Sequence, residues 1–534
     1  MVNVQAVELV FLLLLLFVVA FGTLARKLQI PYPIVLVIAG GLLGFIPGIP
    51  KIALNPDVIF FVILPPLLYS AAWVTSWREF SYNLASILLL AFGLVFFTVV
   101  GVAESAHWLF AGFDWKLGLV LGAVIAPTDA LAATSIAERV GIPKRITTLI
   151  EGESLVNDAT GLLALEFGIA IVLRNETPTV AAGIARLAYL TFGGLAVGLI
   201  TGWIVNWIER RIDDGPIEIA ISILVPYAAY LTADRLRASG VLAVVACGLY
   251  LSRRSSGFFS PQVRLQAWAV WEALDFILNG LVFVLIGLQL PYVLSGIHDY
   301  SRGTLFLYGA LFSALVIALR VVWVFPGAHV AHWIRTRLLH QKLTKPTLAG
   351  VLILGWTGMR GVIALAAAIA LPQALADGSP FPQRNLIVFL AFCVILVTLV
   401  LQGLTLPWLV GILGIADPPG ANLEEEAARR EILEAALAYL ADQRQKDTAE
   451  FDSMYEDLAG HYRHRLADVI GKEDGESGIS PEGHERLSRI SRDLLRLERQ
   501  TAVRLRNQGR INDETLRQLE HELDLRESGP SPAL

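Results

Sequence analysis

The chain has 534 residues, of which 55% are hydrophobic and 17% charged, and its mean hydropathy is +0.61. This composition excludes an ordinary soluble domain. The formal net charge of −5 sums over unlike parts of the chain and says little about partners, and we expect no nucleic acid among them. Residues 1–415 are mostly long apolar runs and residues 416–534 are highly charged, which predicts an all-α polytopic membrane domain followed by a helical tail.

Apolar runs of roughly 20 residues, each long enough to cross a bilayer once, recur about thirteen times. No Lys or Arg precedes the first run, Leu9 to Phe21, so we expect a permanent first helix rather than a cleaved signal. The predicted spans are 5–25, 33–50, 56–75, 84–109, 116–137, 147–173, 179–208, 216–234, 239–252, 267–294, 303–333, 346–372 and 386–414.

The basic residues of the short connections predict the orientation of the spans. With the N-terminus outside, fifteen Lys and Arg residues fall in inner connections and seven in outer ones. Because basic residues concentrate on the cytoplasmic side of a membrane, this distribution predicts an outer N-terminus and a cytoplasmic tail.

The fifth and twelfth spans carry helix-breaking residues. If spans 1–6 and 8–13 are inverted repeats, a common transporter construction, these two spans correspond. The fifth holds Ala126-Pro127-Thr128-Asp129, in which the proline removes a backbone donor. The twelfth holds Gly355-Trp356-Thr357-Gly358-Met359-Arg360-Gly361, whose glycines close helix packing would also explain. We therefore predict two broken crossing helices.

The sixth span carries Glu151-Gly152-Glu153-Ser154-Leu155-Val156-Asn157-Asp158, in which charged residues lie inside an apolar run. Charges at membrane depth are costly and tend to be functional. Ser154 and Asp158 are one turn apart on one helix face, whereas Glu153 points roughly 140° away from Asp158. The two carboxylates therefore have different predicted roles.

Asp158, Ser154, Thr128 and Asp129 could form an oxygen-rich pocket of the kind that hard cations such as Na+ prefer. A carboxylate that holds either a proton or Na+ couples the two ions, because it cannot hold both at once. We therefore predict that Asp158 binds the transported ion, and a structural polar contact is the alternative. Asp129 is either a second ligand or a helix cap.

Glu153 is better matched to a permanent cation, and Arg360 in the twelfth span and Arg320 in the eleventh are the candidates. Such a pair would be neutral and would fix the sixth span against its neighbours. Direct binding of the transported ion by Glu153 is the alternative.

The predicted spans contain six further polar residues. We expect several of them to lie exposed near the membrane interfaces, and two of them, Asn279 and Glu218, to bond to broken backbone. The six are Glu218, Asp234, Glu272, Asp275, Asn279 and Gln289.

These motifs resemble those of the monovalent cation:proton antiporters of the Na+/H+ exchanger type, in their bacterial branch. The resemblance covers essentially all of residues 1–415. It is carried by Thr128-Asp129 in a proline-broken helix, by Glu-Ser-Leu-x-Asn-Asp at 153–158, by Gly358-Met359-Arg360-Gly361, and by further matches at 64–68, 226–231, 239–243 and 285–288.

The resemblance implies a homodimer in the plasma membrane, in which each subunit has a dimerisation unit and a six-helix core that moves like an elevator. It implies that Asp158 binds the cation or the proton, helped by Thr128 and Ser154, and that no cofactor is needed. The residues that it implies hold the core together are Glu153, Asn157, Arg360 and Arg320.

The implied function is secondary-active exchange of Na+, or of Li+ or K+, for H+, in control of intracellular pH and Na+. Relatives with Asn-Asp, as at Asn157-Asp158, are usually electroneutral. The alternatives are K+/H+ exchange in the same fold, a cation channel gated by the tail, and a membrane-tethered scaffold. Nothing resembles a filter loop of carbonyls, and a scaffold leaves the buried charges unexplained. No Gly-x-x-x-x-Gly-Lys-Ser/Thr motif is present, so we expect neither ATP-driven pumping nor an enzyme.

The tail shows apolar residues at helical spacing. This pattern predicts an amphipathic helix, and regulation or dimer contact by the tail is a hypothesis. The residues are Ile432, Leu433, Ala436, Leu437 and Leu440.

Overall fold

The computed structural model describes residues 4–46, 55–110, 112–174, 179–254, 259–297, 300–343, 345–375, 378–415, 423–447 and 451–474, together with 494, 496–505, 508, 510, 519 and 523. The chain divides into two compact units, Met1–Pro418 and Pro419–Leu534. The described residues are helical apart from turns, loops and one isolated β-bridge between Ala374 and Pro380, which confirms the all-α prediction. The predicted boundary after residue 415 adjoins residues outside the described ranges and stays a prediction.

Each predicted span contains at least one helix of the first unit, although α2 ends at Gly44 and residues 47–50 of the predicted span 33–50 lie outside the described residues. Within the described part of the chain, nine helices are long and apolar enough to cross a membrane, and the bent pair Trp115–Ile125 and Ala130–Ala137 would make ten. Thirteen crossings therefore stay a prediction. In chain order the helices are α1 Val4–Leu28, α2 Tyr32–Gly44, α3 Pro56–Val74, α4 Trp77–Leu109, α5 Trp115–Ile125, α6 Ala130–Val140, α7 Lys144–Arg174, α8 Val180–Glu209, α9 Gly215–Arg235, α10 Gly240–Arg254, α11 Pro261–Ser295, α12 Arg302–Leu338, α13 Leu348–Trp356, α14 Val362–Ile369 and α15 Arg384–Leu413.

Capping side chains mark the starts of two helices that begin before the predicted spans. Helices α4 and α11 begin at Trp77 and Pro261, earlier than the predicted spans 84–109 and 267–294. Ser76 and Ser260 accept hydrogen bonds from amides three residues further on, at 3.4 and 3.3 Å. The first turns that follow these caps are partly polar, so an apolar criterion passes over them while the caps mark the true starts.

Both predicted helix breaks are present. Helix α5 ends at Ile125 and α6 begins at Ala130, with a bend of 43° between them. Helix α13 ends at Trp356 and α14 begins at Val362. The inverted relation between the two halves of the unit stays a prediction.

The second unit contains α16, Leu423–Lys446, and α17, Asp452–Asp474. The amphipathic helix predicted in the tail lies within α16. Arg444 of α16 bonds Asp452 at 2.9 Å and Glu456 at 3.2 Å, which joins the two helices through exposed ion pairs. Such exposed pairs contribute little to stability.

Helices α2 and α11 approach each other closely through two glycines. A Cβ built on Gly40 would lie 2.6 Å from the carbonyl oxygen of Val284, and one built on Gly287 would collide with the carbonyl oxygen of Val37. These obstacles are backbone atoms, so no change of rotamer relieves the collision. The contact therefore fixes the position of α11, which carries part of the site described below.

Replacing Gly287 with alanine is expected to lower the free energy of unfolding by about 1–3 kcal/mol, the usual cost of overpacking. Thermal unfolding of the detergent-purified chain measures the change. Gly411→Ala is the control, because Gly411 lies in α15 and a Cβ there meets nothing within 4 Å. Its higher helix propensity should leave that variant neutral or slightly stabilised. Equal destabilisation of both variants would contradict the proposed backbone contact.

Candidate functional site

The two broken helices meet at their breaks. The amide of Asp129, between α5 and α6, donates to the carbonyl oxygen of Met359, between α13 and α14, at 2.8 Å. A break in a helix leaves carbonyl groups at one end and amide groups at the other without helical partners. The crossing therefore brings together four helix ends, each with a partial charge.

Arg360 binds carbonyl groups at the helix breaks. Its side chain is 1% exposed, and its Nε donates to the carbonyl of Ile125 at 2.7 Å. Its Nη1 donates to the carbonyl of Gly358 at 2.6 Å. Ile125 is the last residue of α5, so the guanidinium lies at the negative end of that half-helix.

Asp129 lies at the amide ends of the half-helices. Its Oδ1 accepts from the amide of Leu131 at 2.9 Å, which caps the start of α6. A Cβ built on Gly361, the residue before α14, would collide with the same carboxylate, so Asp129 also lies at the start of that half-helix. The structure shows the helix-cap role considered for Asp129, and its role as a second ligand stays a prediction.

Glu153 and Arg320 form a buried two-pronged ion pair. Arg320 Nη1 lies 2.5 Å from Glu153 Oε1, and Nη2 lies 2.8 Å from Oε2. The two side chains are 2% and 1% exposed. Nη2 also donates to the carbonyl of Leu354 in α13 at 3.2 Å. Of the two candidate partners of Glu153, the structure therefore selects Arg320, and Arg360 binds backbone instead.

Thr128 links this ion pair to the first break. Its hydroxyl donates to Glu153 Oε1 at 3.1 Å and accepts from Asn157 Nδ2 at 2.5 Å. The carbonyl of Thr128 accepts from the hydroxyl of Ser154 at 2.6 Å, and that hydroxyl accepts from the amide of Ala130 at 3.2 Å. Glu153, Ser154 and Asn157 of α7 thus hold the unwound segment between α5 and α6 in place.

Asp158 is the third acidic residue at the crossing, and one of its carboxylate oxygens is unused. The residue is 2% exposed, and Oδ1 has no hydrogen-bond partner among the described residues. A buried carboxylate oxygen without a partner is costly unless a proton or a cation neutralises it. Asp158 therefore has a carboxylate oxygen open to a proton or a cation, and the buried Oδ1 of Asp275 in α11 is likewise without a partner among the described residues.

Asp158 faces a cavity of about 290 Å³, which we call the acidic cavity. Glu151, Ser154 and Asp158, spaced three and four residues apart on one face of α7, all line it. No Lys or Arg is among its described lining residues. Its polar lining residues are Ser70, Thr128, Asp129, Thr134, Glu151, Ser154, Asp158, Asp275 and Asn279.

Asp275 was missed by the sequence analysis. It was grouped with residues expected near the interfaces, yet it lines the acidic cavity and accepts a hydrogen bond from Ser70 of α3. Asn279, one turn further along α11, is buried and lines the same cavity. The spacing of four residues between the two, on one face of an apolar span, was the signal that could have placed them together.

The other polar residues of the spans divide by burial. Asp234 and Glu272 are exposed, as expected. Glu218 and Gln289 are 2% and 0% exposed, so they are not among the exposed members of the group. The bonds to broken backbone expected of Glu218 and Asn279 stay a prediction. Glu218 lies in the first turn of α9.

Comparisons with known proteins identify the chain's relatives. The transmembrane sodium/hydrogen exchanger family model matches residues 12–411. The chain is 33% identical over 527 residues to an uncharacterized Na(+)/H(+) exchanger of Mycobacterium tuberculosis, covering 97% of this chain and 95% of that protein. It is 34% identical over 454 residues to a sodium, potassium, lithium and rubidium/H(+) antiporter of Bacillus pumilus, covering 82% and 66%.

The fold is similar to that of a solved antiporter structure. The sodium proton antiporter MjNhaP1 of Methanocaldococcus jannaschii, at pH 8, matches with a TM-score of 0.60 and 19% identity. The match covers 78% of this chain and 100% of that one. At this identity the likeness establishes the shared fold.

Replacing Glu153 with glutamine is expected to lower the free energy of unfolding by about 3–5 kcal/mol, because it leaves the Arg320 guanidinium buried without an anion. Thermal unfolding of the purified chain measures the loss. Glu166→Gln is the control, since it removes an exposed pair whose side chains are 31% and 52% exposed. That change should cost about 0–1 kcal/mol. A Glu153→Gln variant as stable as the control would contradict the role of the pair.

Proposed function

The chain belongs to the sodium/hydrogen exchanger family, and from this premise we propose that it exchanges Na+ for H+ across the membrane, with Asp158 binding each ion in turn. The observation that carries the proposal is the unused Oδ1 of Asp158, buried at the crossing and facing the acidic cavity. Protonation satisfies this oxygen by turning the group into a neutral acid, and Na+ satisfies it by coordination. Because one carboxylate cannot hold both, arrival of either ion requires departure of the other.

The composition of the acidic cavity supports a cation as the second substrate. Four carboxylates line it with no basic residue among the described lining, so its field concentrates cations. Oxygen ligands suit hard cations. Asp158 would supply the charge, with Ser154 and Thr128 supplying hydroxyl or carbonyl oxygen beside it.

The fixed charges around Asp158 support a one-for-one exchange. Glu153 and Arg320 neutralise each other, and Arg360 and Asp129 serve the helix ends. Asn157, beside Asp158 in the chain, carries no charge. On this proposal Asp158 is the one carboxylate of the cavity lining that exchanges its ion, so it alternates between one proton and one monovalent cation and each cycle moves no net charge.

The extent of the acidic cavity supports an inward-open arrangement. It reaches from Asp158 to Glu151 and to Val74, the last residue of α3. Asp158 and Glu151 are seven residues apart, or about 10 Å along the helix. The distribution of basic residues predicts that Glu151 and Val74 lie towards the cytoplasm. An ion would then reach Asp158 from that side.

We further propose a homodimer in the bacterial plasma membrane, with the N-terminus outside and the tail in the cytoplasm, acting in pH and Na+ homeostasis. The basic residues of the connections support the orientation. Li+ and K+ are alternative cargoes, and the printed name of the Bacillus pumilus relative supports including both in any assay.

Replacing Asp158 with asparagine is expected to reduce exchange to the level of protein-free vesicles, because an amide can neither release a proton nor balance a cation. The measurement follows the internal pH of proteoliposomes after addition of Na+, Li+ or K+. Asp57→Asn is the matched control, since Asp57 is an exposed carboxylate in the first turn of α3. Cation-driven pH changes that survive in Asp158→Asn would move the site elsewhere, and cation flux without counterflow of protons would favour a channel.

Exchange by the unaltered chain is expected to be independent of membrane potential, because each cycle moves one charge in each direction. The measurement imposes potassium gradients of either direction on proteoliposomes. Valinomycin converts each gradient into a membrane potential while the Na+-driven pH change is recorded. A rate that rises with one polarity and falls with the other would rule out one-for-one exchange while leaving antiport intact.

A further inference from the structure

A second cavity, of about 240 Å³, lies apart from the acidic cavity and has the opposite charge. We call it the basic cavity. Its charged and titratable lining residues are Arg145, His332, Arg335 and Lys345, and no acidic residue is among its described lining residues. It shares none of its lining residues with the acidic cavity.

Arg335 is a buried cation at this cavity, and none of its partners among the described residues is an anion. It lies in a π-helical turn at the end of α12 and is 2% exposed. Its Nε donates to Gln341 Oε1 at 2.8 Å and its Nη1 to the hydroxyl of Ser86 at 3.3 Å. The guanidinium carbon lies 4.8 Å from the centre of the Tyr82 ring. All of these partners are neutral.

The remaining nitrogen of Arg335, Nη2, is buried and has no hydrogen-bond partner among the described residues. Burial of a charged donor without a partner costs free energy, and a neutral hydrogen bond offsets little of the charge. An anion in the cavity would supply both the missing acceptor and the missing charge. Arg145 and Lys345, both exposed, stand at the same cavity and would reinforce it.

The rest of the cavity wall is aliphatic. It includes Leu89, Leu90, Val324, Val351 and Leu354. A small free anion would leave this apolar surface unused, whereas a molecule with a phosphate and hydrocarbon chains would contact both parts of the wall. The lining of the basic cavity therefore suits an anionic amphiphile.

The position of the cavity agrees with a lipid ligand. Its walls come from α4, α7, α12 and α13, near the ends that the basic residues predict to be cytoplasmic. Trp333 and Leu348, next in the chain to the lining residues His332 and Thr347, are 56% and 72% exposed. Exposed apolar side chains beside basic ones are typical of the level where headgroups meet hydrocarbon.

We propose that the basic cavity binds an anionic phospholipid of the cytoplasmic leaflet, with the headgroup phosphate accepting from Arg335 Nη2 and the acyl chains lying on the aliphatic wall. Basic pockets between membrane helices on this side are suited to such headgroups. The proposal does not depend on the ion that the protein transports. The bound lipid would tie together four helices, one of which, α13, carries the Leu354 carbonyl that Arg320 binds.

The test measures the melting temperature of the delipidated full chain in detergent, with phosphatidylglycerol, with phosphatidylcholine of the same acyl chains, and with inorganic phosphate. Phosphatidylglycerol is expected to raise the melting temperature by linkage, and the other two are expected to have little effect. Arg335→Gln is expected to weaken phosphatidylglycerol binding about tenfold or more, the usual effect of losing a hydrogen bond to a charged group. Retention of phosphatidylglycerol in native mass spectrometry gives an independent reading.

Two further variants make the outcome decisive. Arg337→Gln removes the same charge from an exposed side chain in the same turn, outside the lining, and should bind phosphatidylglycerol as the unaltered chain does. Lys345→Gln changes an exposed residue of the lining, so it tests the cavity even if Arg335→Gln does not fold. Equal binding by all variants, equal stabilisation by phosphate, or no effect of phosphatidylglycerol on the unaltered chain would each overturn the proposal.

Discussion

The buried ion pair between Glu153 and Arg320 is the contact on which the rest of the site depends. Either charge alone would be strongly destabilising in this water-poor region, and together they are neutral. Their spare hydrogen-bonding capacity then holds the unwound backbone, through the hydroxyl of Thr128 on one side and the carbonyl of Leu354 on the other. One ion pair therefore fixes α7 to α12 and also positions both helix breaks.

With that pair in place, the remaining charges separate into fixed and exchangeable ones. Arg360 and Asp129 are occupied by carbonyl and amide groups at the helix ends, so their charges compensate the dipoles of the half-helices. Asp158 retains an oxygen with no partner in the described structure. The two cavities also differ in charge, since the described lining of one holds acids without Lys or Arg and that of the other holds bases without acids.

Much of the fold was predictable because the bilayer imposes simple rules on span length, charge and proline. The same rules singled out Thr128, Asp129 and Asp158, which do meet at the crossing. Helix periodicity could not choose between Arg320 and Arg360 for Glu153, because that choice depends on how distant helices pack. Asp275 was overlooked for a related reason: its place in the lining of the acidic cavity depends on how α11 packs against α3, to whose Ser70 it bonds, and no local pattern encodes that packing.

The Gly358-Met359-Arg360-Gly361 segment shows how tightly these contacts are coupled. A Cβ on Gly358 would collide with the side chain of Arg320, just as one on Gly361 would collide with Asp129. At each of these glycines, a charged side chain therefore occupies the space that a Cβ would need. Over evolutionary time, a larger residue at either glycine is tolerable only after its charged partner has shortened or disappeared. Gly358 is thus expected to vary together with Arg320, and Gly361 together with Asp129. The residues tolerated in this segment therefore depend on the charged residues that pack against it.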